Sequence, residues 1–192
     1  MFDFIYALGS IAAFFTFWKT FLQKVKISLN PGDAIRIVID TDGSSSKFHL
    51  MCNLINTGAK AGIVQRLEAE VKGQNAIYRF KWDNFYKYLE GGERVQKEYD
   101  SHPVIVPAKD SKLLRIQFKT DDGGKCEWKL GEEYEFRVFG WMNLEDRKKP
   151  RNLESATFHF QIDQDFIEHQ KNPGQEGMYV PRPFIEWERE QQ

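Results

Sequence analysis

The sequence is poor in the residues from which metal centres and catalytic sites are built. Its 192 residues include two cysteines and four histidines, and none of these stands at zinc-site spacing. It has no Gly-x-Ser-x-Gly elbow, no glycine-rich phosphate loop and no His-Glu-x-x-His helix. No motif in the sequence places a base beside a serine or a cysteine, and without such a base these residues are not expected to act as nucleophiles. We expect a protein that is not an enzyme and has no cofactor; a metal-dependent enzyme is the rival hypothesis.

Positive and negative side chains are also nearly balanced in number. Lys and Arg number 27 against 28 Asp and Glu, which gives a formal net charge of −1. No basic stripe follows any segment, so the footprint of a nucleic-acid-binding protein is missing. The densest basic run is Arg147, Lys148, Lys149 and Arg151, in a predicted loop. Such a run is most often a solvated turn; its functional interpretation is contact with anionic lipid headgroups or a protein partner.

The remaining chemical motifs are weak. Asp40-x-Asp42-Gly43 resembles the beginning of a calcium loop, but the glutamate expected at the far end is missing, so a turn is favoured. His49 and His159 stand opposite the apolar positions of predicted strands, where we expect solvent-facing side chains. Cys52 and Cys126 lie in separate strand-like segments, and either a disulfide in an exported domain or two free thiols in a reducing compartment fits.

What the sequence does have is an apolar head, residues 2–18, which only Asp3, Ser10 and Thr16 interrupt. A spanning helix needs about 20 mostly apolar residues, with a range that begins near 17. We therefore predict a membrane-anchor helix over residues 1–24, with aromatic rings at both ends, a lysine that snorkels, and small residues suited to helix packing. The residues concerned are Phe2, Tyr6, Gly9, Ala12, Ala13, Trp18 and Lys19.

Two alternatives to a spanning anchor stay open. A secretory signal peptide would have positive charge before the apolar run, whereas here Asp3 precedes it. An interfacial or buried helix would have a polar stripe at helical spacing, and the polar residues are too few for one. Because Lys19, Lys24 and Lys26 follow the run, the positive-inside rule predicts a single-pass membrane protein with its N-terminus outside and the following domain in the cytoplasm.

Residues 25–163 have the pattern of strands separated by turns. The segment from Lys47 to Ile55 alternates, with Phe48, Leu50, Cys52 and Leu54 on one face. Residues 30–33 (Asn-Pro-Gly-Asp) predict a turn, and residues 83–84 (Asp-Asn) predict the cap of a short helix. Seven or eight strands predict a mainly β domain, an antiparallel β-sandwich. We expect residues 164–192, which contain three prolines, to form an irregular tail.

Three segments of this region resemble the last three strands of bacterial immunoglobulin-like domains. They read PAKDSKLLRIQF (residues 107–118), KLGEEYEFRVFGW (129–141) and ESATFHFQI (154–162). The earlier CNLINTGAKAGIV (52–64) is similar to the strand–Asn-x-Gly–strand element of the same group. The resemblance implies a binding or structural module.

Together these features predict a non-catalytic binding or scaffold module tethered to the lipid bilayer by its N-terminal helix. A protein partner or a second copy of the chain is the expected ligand. The alternative is a membrane effector or sensor, in which the β domain responds to a ligand and drives association of the helices through Gly9, Ala12 and Ala13.

Overall fold

The computed structural model describes residues 13–17, 25–40, 43, 46–88, 95–120, 124–142, 153–154, 156–171, 177–179 and 185–189. Residues 13–17 form a helical segment, α1, and the side chains of all five are exposed. In the described parts of the chain, no helix has the length and apolar character needed to cross a bilayer. The predicted spanning helix is therefore unsupported by the described residues, which include five of its 24 positions.

The rest of the described chain is mainly β, as predicted. Its strands are β1 (Ile27–Ile39), β2 (Lys47–Asn56), β3 (Gly62–Val64), β4 (Arg66–Lys72), β5 (Ile77–Tyr88), β6 (Val95–Asp100), β7 (Val104–Val106), β8 (Asp110–Thr120), β9 (Glu133–Trp141), β10 (Leu153–Glu154), β11 (Ala156–Gln161), β12 (Gly177–Tyr179) and β13 (Ile185–Arg189). A helix, α2 (Gln164–Lys171), lies between β11 and β12.

Alternation in the sequence produces the buried face of each long strand. In β2 the predicted inner residues Phe48, Leu50, Cys52 and Leu54 are completely buried. Side chains alternate across a strand, so this phase turns one face of β2 towards the core. The prediction for this strand is confirmed.

Eleven strands form one sheet that curls over itself. Its main path runs β10-β1-β2-β8-β5-β4-β9-β11-β13, with β12 added to β1 and β6 to β5. Every pair is antiparallel except β1 with β10. The ring of Phe48 on β2 lies 5.3 Å from that of Phe136 on β9 and 6.5 Å from that of Phe160 on β11. Strands that are distant in the order therefore face each other across the core, as in a sandwich.

A separate two-stranded ribbon, β3 with β7, closes one end of this sandwich. Val64, Val104 and Val106 are buried, whereas the paired Ile63 and Ile105 are exposed. The inner face of the ribbon therefore completes the core at the end where β1 begins.

Two turn or helix signals in the sequence were misread. Residues 30–33, predicted as a turn, lie inside β1, where the pairing with β2 shifts register between Pro31 and Ile35. The other edge of β1 pairs at residues 27–28 and again at 37–39, so Pro31 falls where neither β10 nor β12 requires its missing N–H. Residues 83–84, predicted as a helix cap, form a bulge in β5.

These differences, with the unpredicted strand β6, give thirteen strands in the described residues rather than seven or eight. The segment expected to be an irregular tail instead supplies α2, β12 and β13, which pair with or pack on the sheet. Asp163 caps α2 by accepting a hydrogen bond from the backbone N–H of Phe166, 2.9 Å away. The buried Phe166 ring then contacts Trp128.

Candidate functional site

A cleft opens between β6, which pairs with β5 alone among the described strands, and the beginning of β8. Tyr99 and Leu113 stand at its rim with exposed fractions of 58% and 51%. Both side chains line the cleft, so its rim offers apolar surface that a ligand in the cleft can cover. The lining comprises Phe85, Tyr86, Glu98, Tyr99, His102, Val104, Lys112, Leu113, Leu114 and Arg115.

The charged groups of this cleft are mainly cationic. Lys112 and Arg115 contribute two positive charges against the single negative charge of Glu98. Among the described residues no carboxylate pairs with Arg115, and its Nε is buried without a hydrogen-bond acceptor. An unpaired guanidinium beside exposed aromatic and aliphatic groups can bind a carboxylate that an incoming ligand supplies.

A second cleft lies on the other side of His102. It forms where β4 and β6, both paired to β5, separate, and it is lined by Gln65, Arg66, Leu67, Lys81, Trp82, Ser101, His102 and Pro103. Arg66 and Lys81 make this cleft cationic too, although Arg66 is paired with Glu68. The His102 ring packs on Phe85 at 4.9 Å and separates the two clefts.

Both clefts are small. Their volumes are about 190 and 260 Å³, whereas sites for drug-sized ligands enclose about 300–1,000 Å³. Each therefore has room for one or two side chains of a partner rather than for a large cofactor.

Beside Tyr86 of the first cleft lies a partly buried polar network. His49 Nε2 lies 2.8 Å from Oε1 of Gln117, and Gln117 donates from Nε2 to Asp83 at 2.8 Å. Asn84 also donates to Asp83, at 2.9 Å. Because Gln117 donates its side-chain amide N–H to Asp83, its side-chain oxygen is left to accept a hydrogen bond from His49. The proton of the neutral imidazole therefore lies on Nε2.

The burial of His49 corrects the expectation that it faces solvent. Its phase does place it on the outer face of β2, but the ring of Tyr86 stacks on it at 4.3 Å and leaves it 1% exposed. Burial lowers the pKa of His49 from 6.5 to about 4; the bond to Gln117 opposes this shift, and the charges of Arg36 and Lys47 add to it. His49 is thus a neutral structural group at neutral pH. His159 is partly exposed, with Nδ1 3.5 Å from a carboxylate oxygen of Glu133.

Cys52 and Cys126 are both buried, and among the described residues neither forms a disulfide. Burial raises the pKa of the Cys52 thiol to about 12, which leaves it almost wholly protonated and unreactive at neutral pH. In the described residues, no three His, Cys, Asp or Glu side chains form a group that could hold a metal ion.

The predicted membrane and headgroup residues fall mostly outside the described chain. Ala13 is described and lies in α1. The others lie outside the described residues: Phe2, Tyr6, Gly9, Ala12, Trp18, Lys19, Arg147, Lys148, Lys149 and Arg151.

The sequence reasoning missed the cleft residues Tyr99, His102, Leu113 and Arg115. One signal for Leu113 was present. In the segment LLRIQF (residues 113–118), Leu114, Ile116 and Phe118 have the inward phase, which leaves Leu113 as an apolar residue on the outer face. For the rest no local signal existed, because the cleft depends on how β6 and β8 flank β5.

No protein-family model, curated protein or solved structure matches this chain. The resemblance to immunoglobulin-like domains therefore stays a prediction from the sequence, and the functional argument depends on the chain's own residues.

Proposed function

We propose that the chain is a non-catalytic binding module held at a membrane by its N-terminal segment, with the β domain on the cytoplasmic side. The observation that carries the proposal is the exposure of Phe14, Phe15 and Phe17, at 61%, 67% and 55%. Among the described phenylalanines, these three have mostly exposed side chains, whereas those in the β domain are buried or half-buried.

The magnitude of this exposure favours an apolar environment around α1. Complete burial of a phenylalanine side chain contributes about 1.5–3 kcal/mol, so covering the exposed parts of these three side chains would contribute about 3–5 kcal/mol. Because the flanking residues 2–12 are apolar except for Asp3 and Ser10, a bilayer can provide burial along most of the segment.

The immunoglobulin-like character of the β domain is part of the proposal. Near the start of β9, Tyr134 accepts a hydrogen bond of 3.1 Å from the backbone N–H of Lys129, five residues upstream. A tyrosine at this place, bonded to upstream backbone, is a hallmark of immunoglobulin-like sandwiches. Tyr134 also donates to the buried Glu132, whose other oxygen accepts from the backbone of Gln74. This arrangement supports the resemblance.

The partner that fits the first cleft is an extended protein segment with an acidic residue. A carboxylate on that segment meets Arg115 and Lys112, while Tyr99 and Leu113 take an apolar neighbour. The chemistry and the small volume both favour a peptide over a cofactor.

The tether is tested by alkaline extraction of membranes from cells that express the full chain. Phe14→Lys with Phe17→Lys places two charges in the apolar segment at a cost of about 5–7 kcal/mol, so we expect this variant in the soluble fraction. The matched control, Phe14→Leu with Phe17→Leu, keeps the segment apolar and should stay in the membrane pellet with the wild type. Wild-type protein in the soluble fraction would overturn the tether.

The cleft is tested by calorimetric titration with two matched peptides, one glutamate-rich and one with glutamine in its place. We expect binding of the acidic peptide, weakened by salt and lost in Arg115→Ala, but retained in Lys119→Ala on the same strand. Equal binding of both peptides, or no effect of Arg115→Ala, would contradict the assignment.

A further inference from the structure

The end of the sandwich at which β1 begins is organised around one buried amide. Asn56 is 1% exposed, and its Nδ2 lies 2.8 Å from the carbonyl oxygen of Lys60, 3.1 Å from that of Val106 and 3.0 Å from that of Pro107. Its Oδ1 accepts from the backbone N–H of Gly58 at 2.9 Å. Asn56 thus fixes the loop before β3 and the turn after β7 side by side.

This same end receives the chain from the N-terminal segment. A Cβ at Gly62 on β3 would collide with Val25 and with Met142, and it would come within 2.7 Å of Ile27. The backbone N–H of Thr57 donates to the carbonyl of Lys26 at 2.9 Å. The ribbon β3–β7 therefore packs directly against the residues that follow the predicted anchor.

The outer surface of this end is apolar at its centre and basic around it. Ile63 and Ile105, directly paired across the ribbon, are 42% and 59% exposed. Lys26, Lys60 and Lys109 are exposed on the segments that Asn56 and Thr57 join to the ribbon. We call these five residues the ribbon face.

The backbone of Lys109 is unusual. Its φ of 54° is the left-handed conformation, in which a lysine is strained and a glycine is not. Asp110, which follows it, bonds to the backbone N–H of Ser111 and is the one acidic residue of the 107–111 turn. The turn therefore presents a lysine where the backbone conformation favours glycine, which points to a role for its charge.

The distance to the membrane identifies what covers this face. If the apolar part of the anchor ends at Leu22, two residues separate it from Val25, and the three Cα–Cα steps between them span at most about 11 Å. Surface potentials of anionic membranes act over a Debye length of about 8 Å, so these lysines lie near the range in which headgroups attract them. A face confined so close to a bilayer meets lipid before it meets any other surface.

We propose that the ribbon face docks on anionic lipid, with Ile63 and Ile105 at the headgroup boundary and Lys26, Lys60 and Lys109 on the phosphates. This inference rests on the proposed tether and adds an orientation to it, because docking leaves the opposite end of the sandwich exposed to the cytoplasm. The chemistry combines apolar insertion with lysine–phosphate attraction.

The test uses the full chain reconstituted in vesicles of neutral lipid with about a third phosphatidylserine, in which some headgroups carry a nitroxide quencher. A fluorophore is attached at Ile105→Cys or, as the matched control, at Ile77→Cys. Ile77 is similarly exposed at 56% but begins β5, whose pairing with the far end of β8 places it away from the ribbon. The native cysteines are buried and do not compete for the label.

We expect strong quenching at position 105 and little at position 77. Lys60→Gln with Lys109→Gln should lower the equilibrium constant for docking by about 25-fold, since each lysine near an anionic surface contributes a factor of about five to it. Lys72→Gln with Lys119→Gln, at the opposite end, should have no effect. Equal quenching at positions 105 and 77, or no effect of the Lys60 and Lys109 changes, would overturn the docking; failure of the wild type to stay with the vesicles would instead refute the tether.

Discussion

The buried imidazole of His49 makes the stability of the domain depend on pH. In the native state its pKa is about 4, because burial disfavours the charged ring. In the unfolded chain the pKa returns to about 6.5. Between these values the unfolded state binds more protons than the native state, so the free energy of unfolding falls as the pH falls.

The size of this effect follows from the difference of about 2.5 between the two pKa values. Each pKa unit corresponds to about 1.4 kcal/mol, so His49 removes about 3 kcal/mol of stability when the pH falls from above 6.5 to below 4. At pH 5 the loss is about 2 kcal/mol. Protonation at Nδ1 would also place a donor where the structure gives that atom no partner.

The assay is urea unfolding of the full chain in detergent micelles, followed by tryptophan fluorescence at several pH values. His49→Gln removes the titrating group and keeps an amide that can donate to Gln117. We expect the wild type to lose about 2 kcal/mol more than this variant between pH 7 and pH 5. Identical pH profiles for the two proteins would show that the reasoning about His49 is wrong.

Three further predictions concern the core. Asn56→Ala should lower the free energy of unfolding, measured in urea, by about 3 kcal/mol because it leaves buried carbonyls without a donor. The control, Asn53→Ala at a half-buried position of the same strand, should change it by less than about 0.5 kcal/mol. Equal effects of the two substitutions would contradict the role of the Asn56 amide. Phe48→Ala should lower the free energy of unfolding by about 3–5 kcal/mol in the same assay, since the buried Phe48 ring contacts Phe80 on β5 and Phe136 on β9. A decrease below about 1 kcal/mol would contradict that packing. Cys52 should resist maleimide at pH 8 until urea unfolds the chain, as mass spectrometry can show; rapid native labelling would mean that the thiol is accessible.

The β character of the chain could be predicted because its long strands alternate cleanly. In β2 and β8 the inner residues follow one another at a period of two, and the structure buries them. β4 has the same pattern, since Leu67, Ala69 and Val71 are buried at a period of two. Local pattern decided these elements.

Elements that depend on distant partners could not be predicted. Pro31 looked like a turn residue because the sequence does not show that β10 and β12 pair with β1 on either side of this point and leave it unpaired by them. Asp83 looked like a helix cap because the sequence does not show its two amide donors, Asn84 beside it in the β5 bulge and Gln117 on β8, 34 residues away. The alternation of β2 places His49 on the outer face of the strand, where a solvent-facing residue is expected. In the structure the ring of Tyr86, on β5, stacks on it and buries it. The cleft at Arg115 has the same origin, since β6 and β8 frame it from separate parts of the chain.

Protease protection of the full chain, in intact cells and in inverted membrane vesicles, tests the tethered module most directly. We predict that the β domain is digested in inverted vesicles and protected in intact cells, while a short apolar N-terminal fragment stays with the membrane. Digestion from the outer side would reverse the orientation and make an exported domain with a Cys52–Cys126 disulfide the better account. Recovery of the whole chain outside the membrane fraction would contradict the tether itself.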